Sequence, residues 1–366
     1  FKQDVEGYKL PLHKHLYLLN ISTQKLDTLT SGVYDEYAPA WSPDGSKIAF
    51  VSNRTPEPDR NSNTDIWLIL AKKGEVPKRL TDWAGSDDNP KWSPDGKTIA
   101  YISSSANSKF LMYEQSLLKT ISGAGGVPVN HTSVLDRDIS QHNWSPDGTK
   151  ISFIVSDDRQ EYAASVDIKT NNIQIINRGN YEFVNLKPLN EEKFIATLNF
   201  PERPDELYSV EHGQLRRITN HQDEFVKGII FSIPRGFSSK SKDGAVVSNL
   251  LFLPPGSTDA KKLPTVFFIH GGPVAQDSYG FDLSRQMLAA AGYAVCAVNY
   301  RGSSGRGLSF TKAIYGDWGN KEVLDIFGAV DELIRQGVAD PDRRATFLAA
   351  VRRFHCRYGR RDWDYL

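Results

Sequence analysis

Alternating apolar and polar positions run through the first two-thirds of the chain. Lys47-Ile48-Ala49-Phe50-Val51, Thr98-Ile99-Ala100-Tyr101-Ile102 and Lys150-Ile151-Ser152-Phe153-Ile154 each set an isoleucine and an aromatic two apart, on one face of a predicted strand. Each run follows the pentapeptide Trp-Ser-Pro-Asp-Gly, which begins at Trp41, Trp92 and Trp144, at spacings of 51 and 52 residues. Within it the proline presets φ, the aspartate suits the next turn position and the glycine supplies a left-handed residue, so a tight hairpin is expected. A second kind of strand, Leu16-Tyr17-Leu18-Leu19, Ile66-Trp67-Leu68-Ile69 or Leu207-Tyr208-Ser209-Val210, recurs in the other half of each unit, and units end near Thr30, Thr81, Thr132, Asn177 and Thr219. Four short strands per repeat of this length predict the blade of a β-propeller. About four blades are expected between Tyr37 and Asn220, with the last two strands of another before them and further blades upstream. A β-sandwich would explain the regular turns but not the repeated pentapeptide.

Beyond Asp223 the pattern changes. Ser238 to Asp243 is polar and is expected to be a connector, with a turn at Lys242-Asp243-Gly244, and Ala245 to Leu253 predicts a strand. Thr265 to Ile269 is β-branched or aromatic at every position, as in a strand buried on both faces of a mostly parallel sheet. It stops on His270-Gly271-Gly272-Pro273. Two readings of this loop stand together: a strand-end turn, or a place where backbone N–H groups face the oxyanion of an acyl transfer, as in α/β-hydrolases. Leu283, Met287, Leu288 and Ala291 fall at helical spacing before Gly292, and Tyr293 to Asn299 is the next buried strand, giving a strand–helix–strand unit. The glycine-rich Tyr300–Gly307 loop lacks the order of a dinucleotide fingerprint. A helix is expected from about Gly319 to Arg335, with Val323, Leu324, Phe327, Val330, Leu333 and Ile334 on its apolar face.

Composition narrows the function little. Lys plus Arg and Asp plus Glu are 44 each, so no net charge points to nucleic acid or an anionic membrane. Cys296 and Cys356 make no disulfide framework. No run reaches the ~18 apolar residues of a membrane span, and Phe1-Lys2-Gln3-Asp4 begins neither with Met nor as a signal peptide. His13 and His15 lack a third ligand at metal spacing and are assigned to a solvated hairpin end. The charged stretch Glu57 to Asp65 is assigned to a solvated loop.

The three pentapeptide blades, Phe268-Ile269-His270-Gly271-Gly272-Pro273, Asn299-Tyr300-Arg301-Gly302-Ser303, Gly316-Asp317-Trp318-Gly319 and Asp340-Pro341-Asp342-Arg343, in this order, resemble the prolyl oligopeptidase family of serine peptidases, in particular its acylaminoacyl-peptidase and dipeptidyl-peptidase-like members. The resemblance implies an incomplete all-β propeller over 1–230, the N-terminal half of an α/β-hydrolase domain over 231–343, and a tail of different character over 344–366. It implies a propeller that screens access to the site, peptides or N-acylated peptides as substrates, and no cofactor or metal. The backbone amides around Gly271 and Gly272, with His270 beside them, would help to form the oxyanion site. A cytoplasmic location is expected, with a periplasmic or secreted one left open, and the oligomeric state is not indicated.

The family's Gly-x-Ser-x-Gly elbow should follow Asp342-Arg343, with the acid and the histidine after it, yet no serine occurs beyond Ser309. No catalytic residue is therefore assigned, and the polypeptide as it stands is expected to be inactive. The arginine-rich tail is expected to reflect a displaced reading frame near Arg343. Nucleic-acid binding by the tail, or a reactive Cys356, has no surrounding fold to support it. Two other classes remain: a non-catalytic propeller binding module, and part of an esterase. Open blade edges lead to an expectation of low solubility.

Overall fold

The computed structural model describes residues 12–104, 111–257 and 261–348. Its N-terminal part is a row of antiparallel units. A two-stranded unit, β1 (Tyr17–Leu19) and β2 (Leu26–Thr28), precedes a four-stranded blade of β3 (Glu36–Trp41), β4 (Lys47–Ser52), β5 (Asp65–Leu70) and β6 (Lys78–Arg79). The second blade comprises β7 (Asp87–Trp92), β8 (Thr98–Ser104), β9 (Ser116–Ser122) and β10 (Val129–Asn130). The third is β11 (Ile139–Trp144), β12 (Lys150–Asp157), β13 (Gln160–Asp167) and β14 (Ile173–Asn177); the fourth is β15 (Glu182–Pro188), β16 (Lys193–Phe200), β17 (Arg203–Glu211) and β18 (Gln214–Arg217). One parallel pairing, Glu161 with Glu182, joins the last two blades into a single sheet. The units are those the repeat predicts.

The pentapeptide works as a staple both within and between blades. Gly45, Gly96 and Gly148 take φ of +70°, +68° and +73°, and each donates its N–H to the motif serine's carbonyl at 2.9 Å. The serine hydroxyl bonds the motif aspartate, at 2.6 Å for Ser42–Asp44 and Ser93–Asp95 and 2.5 Å for Ser145–Asp147. These bonds hold the Asp44 and Asp147 carboxyls down at about 2. The indole N–H then reaches backwards: Trp92 donates to Ala40 O at 3.1 Å and Trp144 to Lys91 O at 2.9 Å, each one residue before the preceding blade's tryptophan. The blade-end threonines are equally specific. Thr30, Thr81, Thr132 and Thr219 accept the backbone N–H of Leu16, Ile66, Leu118 and Leu207 at 2.8–2.9 Å, each one residue before the first pair with the blade's outermost strand, a donor that this outer ladder leaves open.

Apolar cores lie between blades rather than within them. Ala49, Val51 and Ile66 meet Trp92, Ile99, Tyr101 and Ile121, whereas Ile48 and Phe50, on the other face of β4, meet Leu16 and Leu29 of the first unit. The first three blades thus bury both faces of their sheets, one against each neighbour, whereas the fourth, among the described residues, packs its apolar side chains against the third alone. His15 is not at a solvated end: its Nδ1 lies 2.8 Å from the buried Glu36, while His13 lies 3.6 Å from Asp35, and no metal-holding cluster occurs among the described residues.

After a short helix α1 (Asp223–Val226) the chain enters a five-stranded mixed sheet in the order β19-β20-β22-β21-β23. The members are β19 (Arg235–Lys240), β20 (Val246–Phe252), β21 (Leu263–Ile269), β22 (Ala294–Asn299) and β23 (Ala339–Leu348). The last three run parallel. Two helices of useful length, α2 (Leu283–Ala290) and α4 (Lys321–Arg335), flank the single-turn α3 (Leu308–Thr311) in the chain. Phe267, Ile269, Cys296 and Val298 face α4 through Ile326, Ala329, Val330 and Leu333, and the intervening Phe268, Val295 and Ala297 face Ala289 of α2. This is the strand buried on both faces that the apolar run of β21 predicts.

Three expectations need correction. Ser238 to Lys240 is not connector but strand, the hairpin partner of β20, because Ser239 turns inward to bond Asn249 while its neighbours face out. The buried face of α2 is Arg285, Gln286 and Ala289, whereas Leu283 and Met287 are exposed. Asp340-Pro341-Asp342-Arg343 does not precede a strand but bulges from within one: between Leu263↔Ala339 and Thr265↔Arg344, β23 spends five steps against two on β21. Pairing then runs on through Ile269↔Leu348, so the edge expected at 343 falls inside this strand. The rest of the tail, with Cys356, lies outside the described residues.

Candidate active site

The parallel strands β21 and β22 end together, and β23 ends in register beside them. The carboxyl edge of such a sheet is where an α/β fold gathers ligand-facing loops. His270-Gly271-Gly272-Pro273 leaves β21 here, and Tyr300 to Ser303 leaves β22. The imidazole of His270 stacks on the Tyr300 ring, with centroids 4.6 Å apart and planes 18° from parallel. Tyr300 Oη donates to His270 O at 2.7 Å, and burial, followed by the charges of Asp277 and Glu322, pushes its phenol well above the usual range, so it remains a donor.

His270 Nδ1 lies 3.0 Å from Gly271 O and Nε2 lies 2.9 Å from Ser303 Oγ. A carbonyl only accepts, so a neutral ring carries its proton on Nδ1 and Ser303 donates to Nε2. The carbonyl and N–H of a trans peptide point in opposite directions. Holding Gly271 O on the imidazole therefore turns the N–H of Gly272 away from it, towards the open side of the loop. Among the described residues neither Gly271 nor Gly272 donates its amide to a protein acceptor, and Gly272 is exposed. Gly272 holds φ +134°, and a Cβ there would come within 2.8 Å of Val274 N, so a side chain would displace the loop. The structure thus brings His270, Gly271 and Gly272 together as two unspent backbone donors backed by a fixed imidazole.

Asp325, Ser241, Asp277 and Arg285, which the sequence did not single out, hold this edge in place through Arg301 and Asn299. Asp325, fully buried on α4, accepts from Arg301 Nη2 at 2.8 Å, from Arg301 N at 2.7 Å and from Ser241 Oγ, while Asp243 takes Arg301 Nη1 at 2.6 Å. Asn299 exchanges two hydrogen bonds with the Asp277 backbone, 2.7 and 2.9 Å, and the Asp277 carboxylate pairs with Arg285. Arg285 in turn lies over Phe268, 4.8 Å from its centroid. Ser303 and Tyr300 belong to a motif the sequence did display, but nothing in it tells that they converge on His270.

The propeller closes over the same edge. The turn between β12 and β13 meets both loops: Asp158 N donates to Gly305 O at 2.8 Å, Tyr279 N to Arg159 O at 3.0 Å and Gln276 Nε2 to Glu161 Oε1 at 2.9 Å. Ser278 Oγ bonds Glu182 at 3.0 Å, Phe281 N donates to Asn199 at 3.0 Å, Leu308 N to Asp136 at 2.9 Å, and Trp318 Nε1 to Tyr113 Oη at 2.5 Å. A separate cleft of about 480 Å³, lined by Phe231, Ile233, Leu251 and Leu253, opens at the other end of β20 from Ser248, which pairs with Asn299. It is not part of the loop site.

Residues 11–191 match the TolB beta propeller domain and residues 279–347 the prolyl oligopeptidase family. An uncharacterized peptidase of Bacillus subtilis is 31% identical over 94% of this chain and 54% of its own length. Dipeptidyl-peptidase 5 of Porphyromonas gingivalis is 27% identical over 83% of this chain and 45% of its own. The chain spans about half the length of these curated relatives. In fold it resembles the acylaminoacyl peptidase of Pyrococcus horikoshii, with TM-score 0.76 and 21% identity over 91% of this chain and 51% of that one. No helix among the described residues is long and apolar enough to cross a membrane. A propeller carrying this pentapeptide repeat, joined through a polar junction to a sheet whose segment 279–347 matches the peptidase family, defines the assignment: the chain belongs to the prolyl oligopeptidase family.

Proposed function

We propose that this chain supplies the propeller and the first part of the catalytic domain of a serine peptidase that hydrolyses peptides or N-acylated peptides, the propeller screening access to the reacting bond. The observation that carries this reading is the pair of unspent N–H groups at Gly271 and Gly272, at the carboxyl end of β21 and beneath the propeller. Two such donors suit the negative oxygen of a tetrahedral acyl intermediate, and each is worth about 3 kcal/mol of barrier in enzymes that use them. The relatives' names, dipeptidyl-peptidase and acylaminoacyl peptidase, favour peptide substrates over simple esters.

In an α/β-hydrolase the nucleophile stands on the turn after a parallel strand, and β23 ends beside β21, where such a turn would face Gly272. Because no serine follows Ser309, a polypeptide limited to these 366 residues has no serine hydroxyl to place there and is expected to form no acyl-enzyme. A cytoplasmic setting, with its small reducing pool of thiols, is consistent with the free, buried Cys296 and belongs to the same proposal.

A serine-directed fluorophosphonate probe tests the reading on two proteins, the 366-residue polypeptide and the product of the same gene with an elbow-restoring reading frame. The second should label and cleave a peptide substrate, and Gly272→Ala should slow both about a hundredfold or more. Labelling of the 366-residue polypeptide, or a restored product that neither labels nor cleaves, would overturn it.

A further inference from the structure

Six residues beyond His270, the same loop reaches the propeller turn at Arg159–Glu161 through the side chain of Gln276. Gln276 Nε2 donates to Gln160 O at 3.0 Å and to Glu161 Oε1 at 2.9 Å, and its Oε1 accepts from Arg159 N at 3.2 Å. Every capacity of that amide but a lone pair is thus spent on three consecutive residues of one propeller turn. On the other side, Ala275 N donates to Pro273 O and Ala275 O accepts from Ser304 N, both at 2.9 Å, which ties Gln276 to the loops after β21 and β22. We infer that Gln276 is a positioning residue: it anchors the loop carrying Gly271 and Gly272 to the propeller turn at Arg159–Glu161, so that the loop keeps its shape only while the propeller is seated. The inference uses the proposed function for what the loop does, and the geometry alone for how the loop is held.

Glu161 gives the anchor a pH dependence. Its second oxygen accepts from Ser156 Oγ at 2.9 Å. The titratable groups that act on it are acids, Glu182 from β15 and Asp138 next to β11, and the charge of Arg285 offsets Glu182 only in part. The nearby arginines are engaged elsewhere: Arg137 and Arg178 on Asp157, Arg159 on Asp158, and Arg285 on Asp277. Burial first, then the charges of Glu182 and Asp138, push the Glu161 carboxyl up to about 7 against the hydrogen bonds of Gln276 and Ser156. A group whose value is raised in the seated state binds its proton more tightly there than when separated and solvated. Seating is therefore favoured at acid pH and weakens as the pH rises towards and through about 7.

Amide hydrogen exchange on the whole chain, corrected for intrinsic rates, reads this directly at Ala275, Tyr279 and Ser304, whose N–H groups are bonded. In the unaltered protein their exchange should rise as the pH passes neutrality. Gln276→Ala should raise it roughly tenfold at all three while strand amides of β21 and β12 stay protected, whereas Glu161→Gln should keep the protection and abolish the pH dependence. Should the alanine variant not fold, Gln276→Glu serves instead, with protection at acid pH and loss above neutrality as two carboxylates come to face each other. A change confined to Tyr279, or an unaltered pH profile in Glu161→Gln, would refute the inference. Failure of probe labelling in the restored gene product would sink the proposed function and leave these exchange results intact.

Discussion

The propeller and the hydrolase sheet are held together in opposite ways. In the propeller the characteristic contacts recur from blade to blade: a Ser–Asp turn, a glycine at positive φ, an indole reaching back one blade, a threonine completing the outer-strand ladder. In the hydrolase part the apolar layers are plain, and the polar contacts that fix the loops each occur once, such as Asp325 with Arg301 and Ser241, or Asp277 with Asn299. A repeated staple spreads risk over many copies. A single buried clamp concentrates it.

The sharpest break of this contrast is Asp325→Ala, which leaves the Arg301 guanidinium buried with only Asp243 as counter-charge and strands the Ser241 hydroxyl. It should cost about 3–5 kcal/mol. Urea unfolding followed by helical circular dichroism should shift to lower denaturant while the propeller tryptophan signal does not, since α2 and α4 belong to the hydrolase part. Coincident shifts of both signals would mean that the two parts unfold as one unit.

The next largest effect comes from acid. Burial, then the charge of Lys91, lowers His142 to about 3, so the folded propeller holds a neutral imidazole. Its contribution is complete above the unfolded value near 6.5 and is lost as pH falls from there towards 3. Between neutrality and about pH 5 the loss should be about 2 kcal/mol. Replacement by phenylalanine should remove that part of the pH dependence, and an unchanged slope would refute it. Trp92→Phe keeps most of the packing but forfeits the bond to Ala40 O, for about 1 kcal/mol in the denaturation midpoint of the propeller. Gly45→Ala, at φ +70° with open space around it, should cost about 1 kcal/mol from the backbone alone, and Gly45→Asn less. A cost for Gly45→Ala as large as that for Asp325→Ala would erase the distinction between the two regions.

The same contrast explains what could be read in advance. Blade number, hairpins and blade ends were legible because the hairpin turns rest on residues within a few positions of one another, and the repeat presents the same pattern several times. The face of α2 was not: Leu283 and Met287 promised a buried stripe, yet Arg285 and Gln286 are the residues turned inward, because Asp277, Ser232 and Pro201 arrive there from elsewhere with partners for them. Ser238 to Lys240 looked like linker because an edge strand needs only every second residue inward, and here that residue is Ser239. At the candidate site, the glycines of His270-Gly271-Gly272 were visible in the sequence, and that Ser303, Tyr300 and Gln276 converge on their loop was not.

By itself the sequence determined the blade repeat, the buried strand ending on two glycines and the family they imply, because periodicity and turn chemistry are written in neighbouring residues. Only the tertiary structure decided which polar groups are buried and paired, that β23 passes through Arg343 to lie beside β21, and that the propeller grips the loop after β21 through Gln276. Those outcomes depend on where distant segments meet, and the free energy of burying a charge or an amide is set by the partner that arrives.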